Sequence, residues 1–343
     1  MKLPLEHPYP QAAIGCKSAD YSVEISINGK WEKVPALDVN GHTIVVRGRW
    51  IRLAVIDGEE WLASEPQHPE VCVEQLRGQK RPGLRADIFT FSQKPPATQP
   101  KYPYPMEWES IAVTRVTSFK DWWENLPQES RKNVRRSRKR GVVVRVKELD
   151  DELVEAIAGV NNDSPTRQRV PFVHYGKTHG QVKKDQSSFL ERSEFVCAYL
   201  GDELIGFLKV VYGREIASLL QILPKASRYD FRPAHALIAK AVDRCAEKGV
   251  SYLTYGKYRY GNQRTTSLME FKARIGFQEV LVPRYYVPLT LKGRIGIALK
   301  LHRDRVGMLP HSAIRLGVSL RSWWYNRKVS TGRCSSMAER PRL

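Results

Sequence analysis

The chain has 343 residues, 42% of them hydrophobic, and a formal net charge of +20. That apolar share excludes wholesale disorder, and the length fits two domains or one large domain with an appendage. The charge predicts attraction to polyanions (nucleic acid, anionic lipid headgroups or phosphate-bearing cofactors) without choosing among them.

The five cysteines, Cys16, Cys72, Cys197, Cys245 and Cys334, are far apart and show no CxxC spacing. A zinc site or disulfide framework is not expected, and reduced, buried thiols are. The first residues, MKLPLEHPYPQAAIG, lack the apolar run of a signal peptide, and no stretch reaches the ~18 apolar residues of a membrane-spanning helix. A soluble, cytoplasmic protein is expected, with peripheral membrane contact left open.

Residues 20–62 alternate apolar and polar positions between Asn28-Gly29, Asn40-Gly41 and Asp57-Gly58, which predicts an antiparallel β-meander. Residues 63–105 are proline-dense and read as irregular apart from a short strand at 87–91. QKPPATQPKYPYP is a linker candidate. A strand follows at 110–116. Ser118 is placed to cap a helix that Pro127 divides, and Gly141 to end its basic second piece. A strand at 142–149, a helix at 151–160 capped by Asp150, a polar loop and a helix over QVKKDQSSFLERS come next. Three strands then follow: FVCAYL, LIGFLKVVY and EIASLLQILP. Pro233 opens a helix with Leu237, Ile238, Ala241, Val242 and Cys245 at helical spacing, and Gly249 ends it. VSYLTYG reads as a strand, SLMEFKARIGF as a short helix and EVLVPRYYVPLT as the last strand.

From residue 142 this order is strand, two helices, three antiparallel strands, helix, strand, helix, strand. It resembles the GNAT acyltransferase fold over roughly 142–290. The stretches PAHALIAKAVDRCAEKGVSYLTYG, SLMEFKARIGF and PRYYVPL, with the arginine-rich segment before Gly141, are similar to the FemAB-like branch of that superfamily over about 110–290. The fold class implied is α+β with a mixed sheet: a GNAT-like domain at 106–292, preceded by a small antiparallel β-rich region at 1–105. A basic amphipathic extension (293–330) and a tail (331–343) that resembles a translated tRNA gene, and is expected to be functionless, complete the chain.

The resemblance implies an N-acyltransferase that moves an acyl group from an activated donor, acyl-CoA first, to an amine. The alternatives are an aminoacyl-tRNA donor, or a non-catalytic nucleic-acid or anionic-membrane binder on the same scaffold. Donor contacts are expected from Gln221, Ile222 and Leu223 on the fourth strand of the fold, and from Arg228, Arg232, Ala234 and His235 at the start of the next helix. SRYDFRPAHA there lacks the glycines with which many GNAT enzymes cradle a pyrophosphate. No coiled-coil arm or second GNAT repeat is evident, unlike the peptide-bridge enzymes. Lys272, in the "FK" of the short helix, is implied at the acyl site, where an ammonium can stabilise an oxyanion. The loop TRQRVPFVHYGK supplies acceptor-side candidates Arg167, Arg169, Tyr175 and Lys177, with His174 as general base. Tyr260 and Tyr285 are further substrate contacts. No metal ligand set is expected.

Seven of the ten residues from Arg131 to Arg140 are basic. A bare charge argument makes them a grip on an anionic polymer or membrane. Helical geometry lets only three or four of them face one partner, and no aromatic residue is interleaved for base stacking. A Trp-Trp-Tyr cluster at 323–325 suits either docking against the domain or a membrane interface.

Overall fold

The structure is a computed structural model that describes residues 21–27, 30–62, 64–167, 170–259 and 266–303. Strands β1 (Ser22–Ile27), β2 (Lys30–Val39), β3 (His42–Arg47) and β4 (Leu53–Ile56) form the expected antiparallel meander. Asn40 (φ 52°) and Gly41 (φ 77°) are both left-handed, as the two-residue turn joining β2 to β3 requires. Gly48 (φ 97°) turns the chain between β3 and β4, and a Cβ there would sit 2.3 Å from the Ile51 carbonyl oxygen.

Two expectations fail in this region. Asp57-Gly58 does not make a hairpin but leads into a 3-10 turn, Glu59–Trp61. The proline-dense segment contains helix α1 (Pro69–Arg77), which starts on its proline and buries Cys72, Val73 and Leu76. Proline at the first helical position has no N–H to waste, so proline density alone was a poor argument for irregularity. Helix α1 carries the chain over to β5 (Ile88–Ser92), which lies parallel to β4.

The remaining order follows the reading from sequence, except that the polar loop holds a short ribbon and that the helix expected over QVKKDQSSFLERS ends at Gln186, before a separate 3-10 turn at Leu190–Arg192. The order runs β6 (Met106–Arg115), α2 (Phe119–Asn125), α3 (Gln128–Lys139), β7 (Val142–Lys147) and α4 (Asp151–Asn161). A two-stranded ribbon, β8 (Thr166–Arg167) with β9 (Val170–Pro171), precedes α5 (His179–Gln186). Then come β10 (Ser193–Leu200), β11 (Glu203–Tyr212), β12 (Ile216–Pro224), α6 (Pro233–Glu247) and β13 (Tyr252–Lys257). Helix α7 (Ser267–Arg274), β14 (Gln278–Pro288) and α8 (Leu291–Ala298) end the described chain. The caps are chemical: Ser118 accepts from Asp121 N–H, Asp150 from Leu153 N–H and Thr178 from Gln181 N–H. Gly141 (φ 84°) and Gly249 (φ 70°) follow α3 and α6.

The strands make one twelve-stranded mixed sheet in the order β1-β2-β3-β4-β5-β14-β6-β13-β12-β11-β10-β7. It crosses the expected boundary near residue 105 without a break, because β14 pairs with β5 on one side and β6 on the other. The linker candidate is likewise packed. Gln93 is 1% exposed, and its side chain binds the carbonyls of Ala97 and Gln99, the Lys101 N–H and the Tyr285 hydroxyl.

Alternation along β10 separates two cores. Val196 and Ala198 join the core under α2, α3, α6 and α7, while Phe195, Cys197 and Tyr199 join the core under α4 and α5. A third core fills the N-terminal half and includes Phe89 and Phe91 of β5 with Tyr285 and Val287 of β14. Among the described cysteines, Cys72, Cys197 and Cys245 are free and buried. Burial pushes the Cys72 thiol up to about 11 and the other two to about 12.

Candidate active site

Strands β12 and β13 are parallel, and they pair over only three positions, Ile216–Ser218 with Tyr252–Thr254. Beyond them β12 runs on beside β11 to Pro224. β13 is bulged between Thr254 and Lys257, where Gly256 adopts φ 55°. The sheet therefore opens between its central strands. Lys272 is 0% exposed, and its ammonium donates to the carbonyls of Tyr255 and Lys257 at 2.7 Å each, over the Tyr255 ring. Burial lowers it to about 8, against a smaller opposing pull from Glu60. Lys272 is thus wholly interior and serves carbonyls exposed by the bulge.

On the α4–α5 face the opening meets two joined cavities. The inner one, about 50 Å³, is lined by Ser218, Thr254 and Gly256 from the diverging strands and by Glu59 and Glu60 from the N-terminal half. The Ser218 hydroxyl lies 2.8 Å from that of Thr254, and it donates to the Glu60 carbonyl at 3.3 Å. The outer one is a cleft of about 910 Å³ between the N-terminal sheet and α5. Gln221, His174 and Lys177 line it with Trp31, Asp185 and Gln186. Gln221 accepts a hydrogen bond from Gln186 at 2.7 Å. Asp185 takes the Trp31 indole N–H at 2.9 Å and the Lys177 ammonium, with His174 Nδ1 at 3.5 Å. Burial alone would raise the Asp185 carboxyl, but these partners outweigh it and hold it near 2. Lys209, also 0% exposed, donates to the carbonyls of Gln186 and Ser188 and so pins the end of α5 to the sheet; burial lowers it to about 8.

The opposite face carries the start of α6. Arg232 stands just before it in a left-handed conformation (φ 56°), and its Nε is buried without a hydrogen-bond partner. His235 meets Phe271 edge to face, and burial, helped by Arg232, lowers it to about 4, so it is neutral at pH 7. The basic helix α3 packs alongside, with Arg140 donating to the Asp230 carbonyl and lying over Phe231. Lys132, Arg135, Arg138 and Lys139 are exposed and make no ion pair among the described residues. Arg135 lies over Trp123.

Other expected contacts stand elsewhere. Tyr285 cannot reach a substrate: it is 0% exposed in the N-terminal core, donating to Gln93 and accepting from Lys101 N–H. Arg228 is held by Glu203, and Arg167 by the carbonyls of Pro224 and Val160 and the Tyr229 hydroxyl, so both brace the turn after β12. Leu223 is core and Ile222 packs on the α6 side. Ala234 is partly exposed in the first turn of α6, and Tyr175 is exposed outside the cleft lining. Arg169, Tyr260, the Trp-Trp-Tyr cluster and the 331–343 tail lie outside the described residues. No cluster of metal-binding side chains occurs among the described residues, and no described helix is long and apolar enough to cross a membrane. Glu60 and Trp31, which help build the site, were not expected; nothing in their local sequence marks them.

Residues 128–272 match the family model described as an acetyltransferase (GNAT) domain. No curated protein sequence matches the chain. Among solved structures, FemX superposes with a TM-score of 0.51 at 10% identity over 81% of this chain and 90% of that one. The C-terminal domain of a lysylphosphatidylglycerol synthetase from Agrobacterium fabrum gives 0.48 at 12% identity, over 75% of this chain and 84% of its own. The lysylphosphatidylglycerol synthetase structure from Bacillus licheniformis gives 0.48 at 12%, over 77% and 87%. Residues 128–272 are therefore similar to a GNAT acetyltransferase domain, and the fold built around them is one that the chain shares with FemX.

Proposed function

We propose that this protein is an N-acyltransferase in which donor and acceptor meet from opposite faces of the sheet, at the opening between β12 and β13. The observation that carries the reading is the geometry of that opening. It has a buried cation, Lys272, at its edge, the α6 N-terminus on one face and the 910 Å³ cleft on the other. An acyl carbonyl held there would find an ammonium to stabilise its oxyanion, and the cleft would hold the amine in line with it. Arg232 and the α6 N-terminus fit the phosphates of an acyl-CoA, since the buried Arg232 Nε is a donor in want of an acceptor. His174, Lys177 and Gln221 form the walls of the acceptor cleft.

A second donor, aminoacyl-tRNA, is favoured by two features: the exposed basic face of α3 beside α6, and the absence of glycine from 226–235. Calorimetric titration at about 0.15 M salt separates them, because nonspecific polyanion attraction is partly screened there. Saturable one-to-one binding of acetyl-CoA or a longer acyl-CoA, weakened in Arg232→Ala, is the result expected for the first. Binding of charged tRNA with no acyl-CoA response moves the donor to the second. No binding of either rejects acyl transfer.

A further inference from the structure

The cleft and the inner cavity are lined by carboxylates whose partners can be named one by one. Glu24 pairs with Lys184 at 2.8 Å, Asp57 with Arg47 at 3.4 Å, and Glu59 with Arg284 at 2.9 Å. Asp185 is held by Lys177 and Trp31, and Glu109 by Arg284 and Lys257. The same pairs occupy the cations of the outer cleft, and the Lys94 ammonium of the inner cavity donates to the Glu59 carbonyl. One lining carboxylate remains. Glu60 is exposed, and among the described residues its side chain makes no direct ion pair or hydrogen bond, although its charge is felt by Lys272 and Lys94. With Glu59, Trp61 and Arg284 it lines both cavities, so it stands where the two adjoin. Its backbone is fixed there by the Ser218 hydroxyl.

A second group points the same way. Gln186 is 2% exposed and lines the cleft; its amide nitrogen is given to Gln221, and its Oε1 is buried without a partner. A buried amide oxygen left unpaired is costly unless a donor arrives. An anionic oxygen and an orphaned amide oxygen in one cleft call for a ligand rich in N–H, and a protonated amine is such a ligand.

We propose that Glu60 receives the acceptor's primary ammonium and takes its proton, with Gln186 as a neutral oxygen on the wall of the outer cleft through which the amine arrives. This rests on the acyl-transfer reading above. The acceptor arrives as R–NH3+, and Glu60 removes one proton to free the lone pair. The C–N bond forms at the acyl carbon, and the carbonyl π pair becomes the oxyanion beside Lys272. That pair returns as the C–S bond of a thioester, or the C–O bond of an ester, breaks. The departing pair leaves with sulfur or oxygen, which gains the second nitrogen proton, and Glu60 releases its own to water. The sum is ammonium plus acyl donor to amide, protonated leaving group and one proton. His174 is the weaker candidate for this step, because it lines the outer cleft alone and leans on Asp185.

The test compares wild type with Glu60→Gln and Glu60→Asp, both conservative changes at an exposed position, with the melting temperature of each variant checked first. Cadaverine is the amine probe, titrated calorimetrically. Transfer to cadaverine is followed with acetyl-CoA and with alanyl-tRNA as donors. Wild type is expected to bind the amine saturably, Glu60→Gln to weaken it at least tenfold and to lower transfer at least 100-fold, and Glu60→Asp to fall between. Donor binding should stay within twofold throughout. Equal amine binding in wild type and Glu60→Gln, or no amine binding by wild type, overturns the proposal. If wild type takes neither donor while amine binding still depends on Glu60, the amine site stands and the acyl-transfer reading falls.

Discussion

Lys272 has a structural duty and a proposed catalytic one, and the two respond to pH in opposite directions. Its folded value of about 8 lies below the ordinary 10.5, so between those values the unfolded chain holds the proton more tightly. Its contribution to stability therefore rises with pH across that window. The proposed catalytic duty needs the ammonium, so turnover should fall as pH climbs through about 8. Lys272→Met should lower turnover at least tenfold at neutral pH and erase that basic limb. It should also cost about 2–4 kcal/mol, since carbonyls served by a charged donor lose it. A variant that keeps wild-type turnover while losing the same stability would leave Lys272 a structural residue. The lysine was legible in the sequence because "FK" precedes "GF" at a fixed spacing. Glu60 was not: it gains meaning only when the β4–α1–β5 crossover lays its turn over β12, across 158 residues of chain.

At the scale of elements, α3 separates a charge run from a binding face. Arg140 is engaged with Asp230 and Phe231, and Arg136 is half-buried, which leaves Lys132, Arg135, Arg138 and Lys139 facing outward. Neutralising Lys132, Arg138 and Lys139 together should leave the melting temperature almost unchanged, as exposed residues without an ion pair contribute little. If the donor is charged tRNA, the same variant should bind it at least tenfold more weakly. The slope of log affinity against log salt should also shrink by about 2–3. An unchanged slope would make α3 a solvated face only. Element order was readable here because glycines, prolines and caps punctuate it. Helix α1 was missed because its proline looked like a breaker when it was a starter, and the linker because Gln93 satisfies backbone groups 4 to 8 residues away.

The whole molecule is held as one sheet with a side-chain latch across the cleft. Asp185 of α5 takes the indole N–H of Trp31 in β2. Its carboxyl sits near 2 in the folded state against an ordinary 3.8, so the latch contributes fully above about pH 4 and is lost as pH falls toward 2. Asp185→Asn should cost about 1–3 kcal/mol at pH 7 in denaturant titrations, with the gap closing through that acid window. The boundary near residue 105, which composition made to look like a linker, is crossed by the sheet. The second half of β14 lies inside the N-terminal core, where Tyr285 and Val287 pack with Phe89 and Phe91. Arg284 is joined to Glu59 on one side and Glu109 on the other. A protein beginning at residue 106 would expose the β14 edge along Arg284–Pro288, uncover that apolar face and leave Arg284 with one carboxylate fewer. It should therefore be insoluble or associate through that edge, even though residues 128–272 match a domain model on their own. A soluble, monomeric, cooperatively unfolding fragment by sedimentation and circular dichroism would mean that the N-terminal half is an appended module. Failure to fold, rescued by supplying residues 1–105 in trans, would mean that the two halves of the sheet are one cooperative unit.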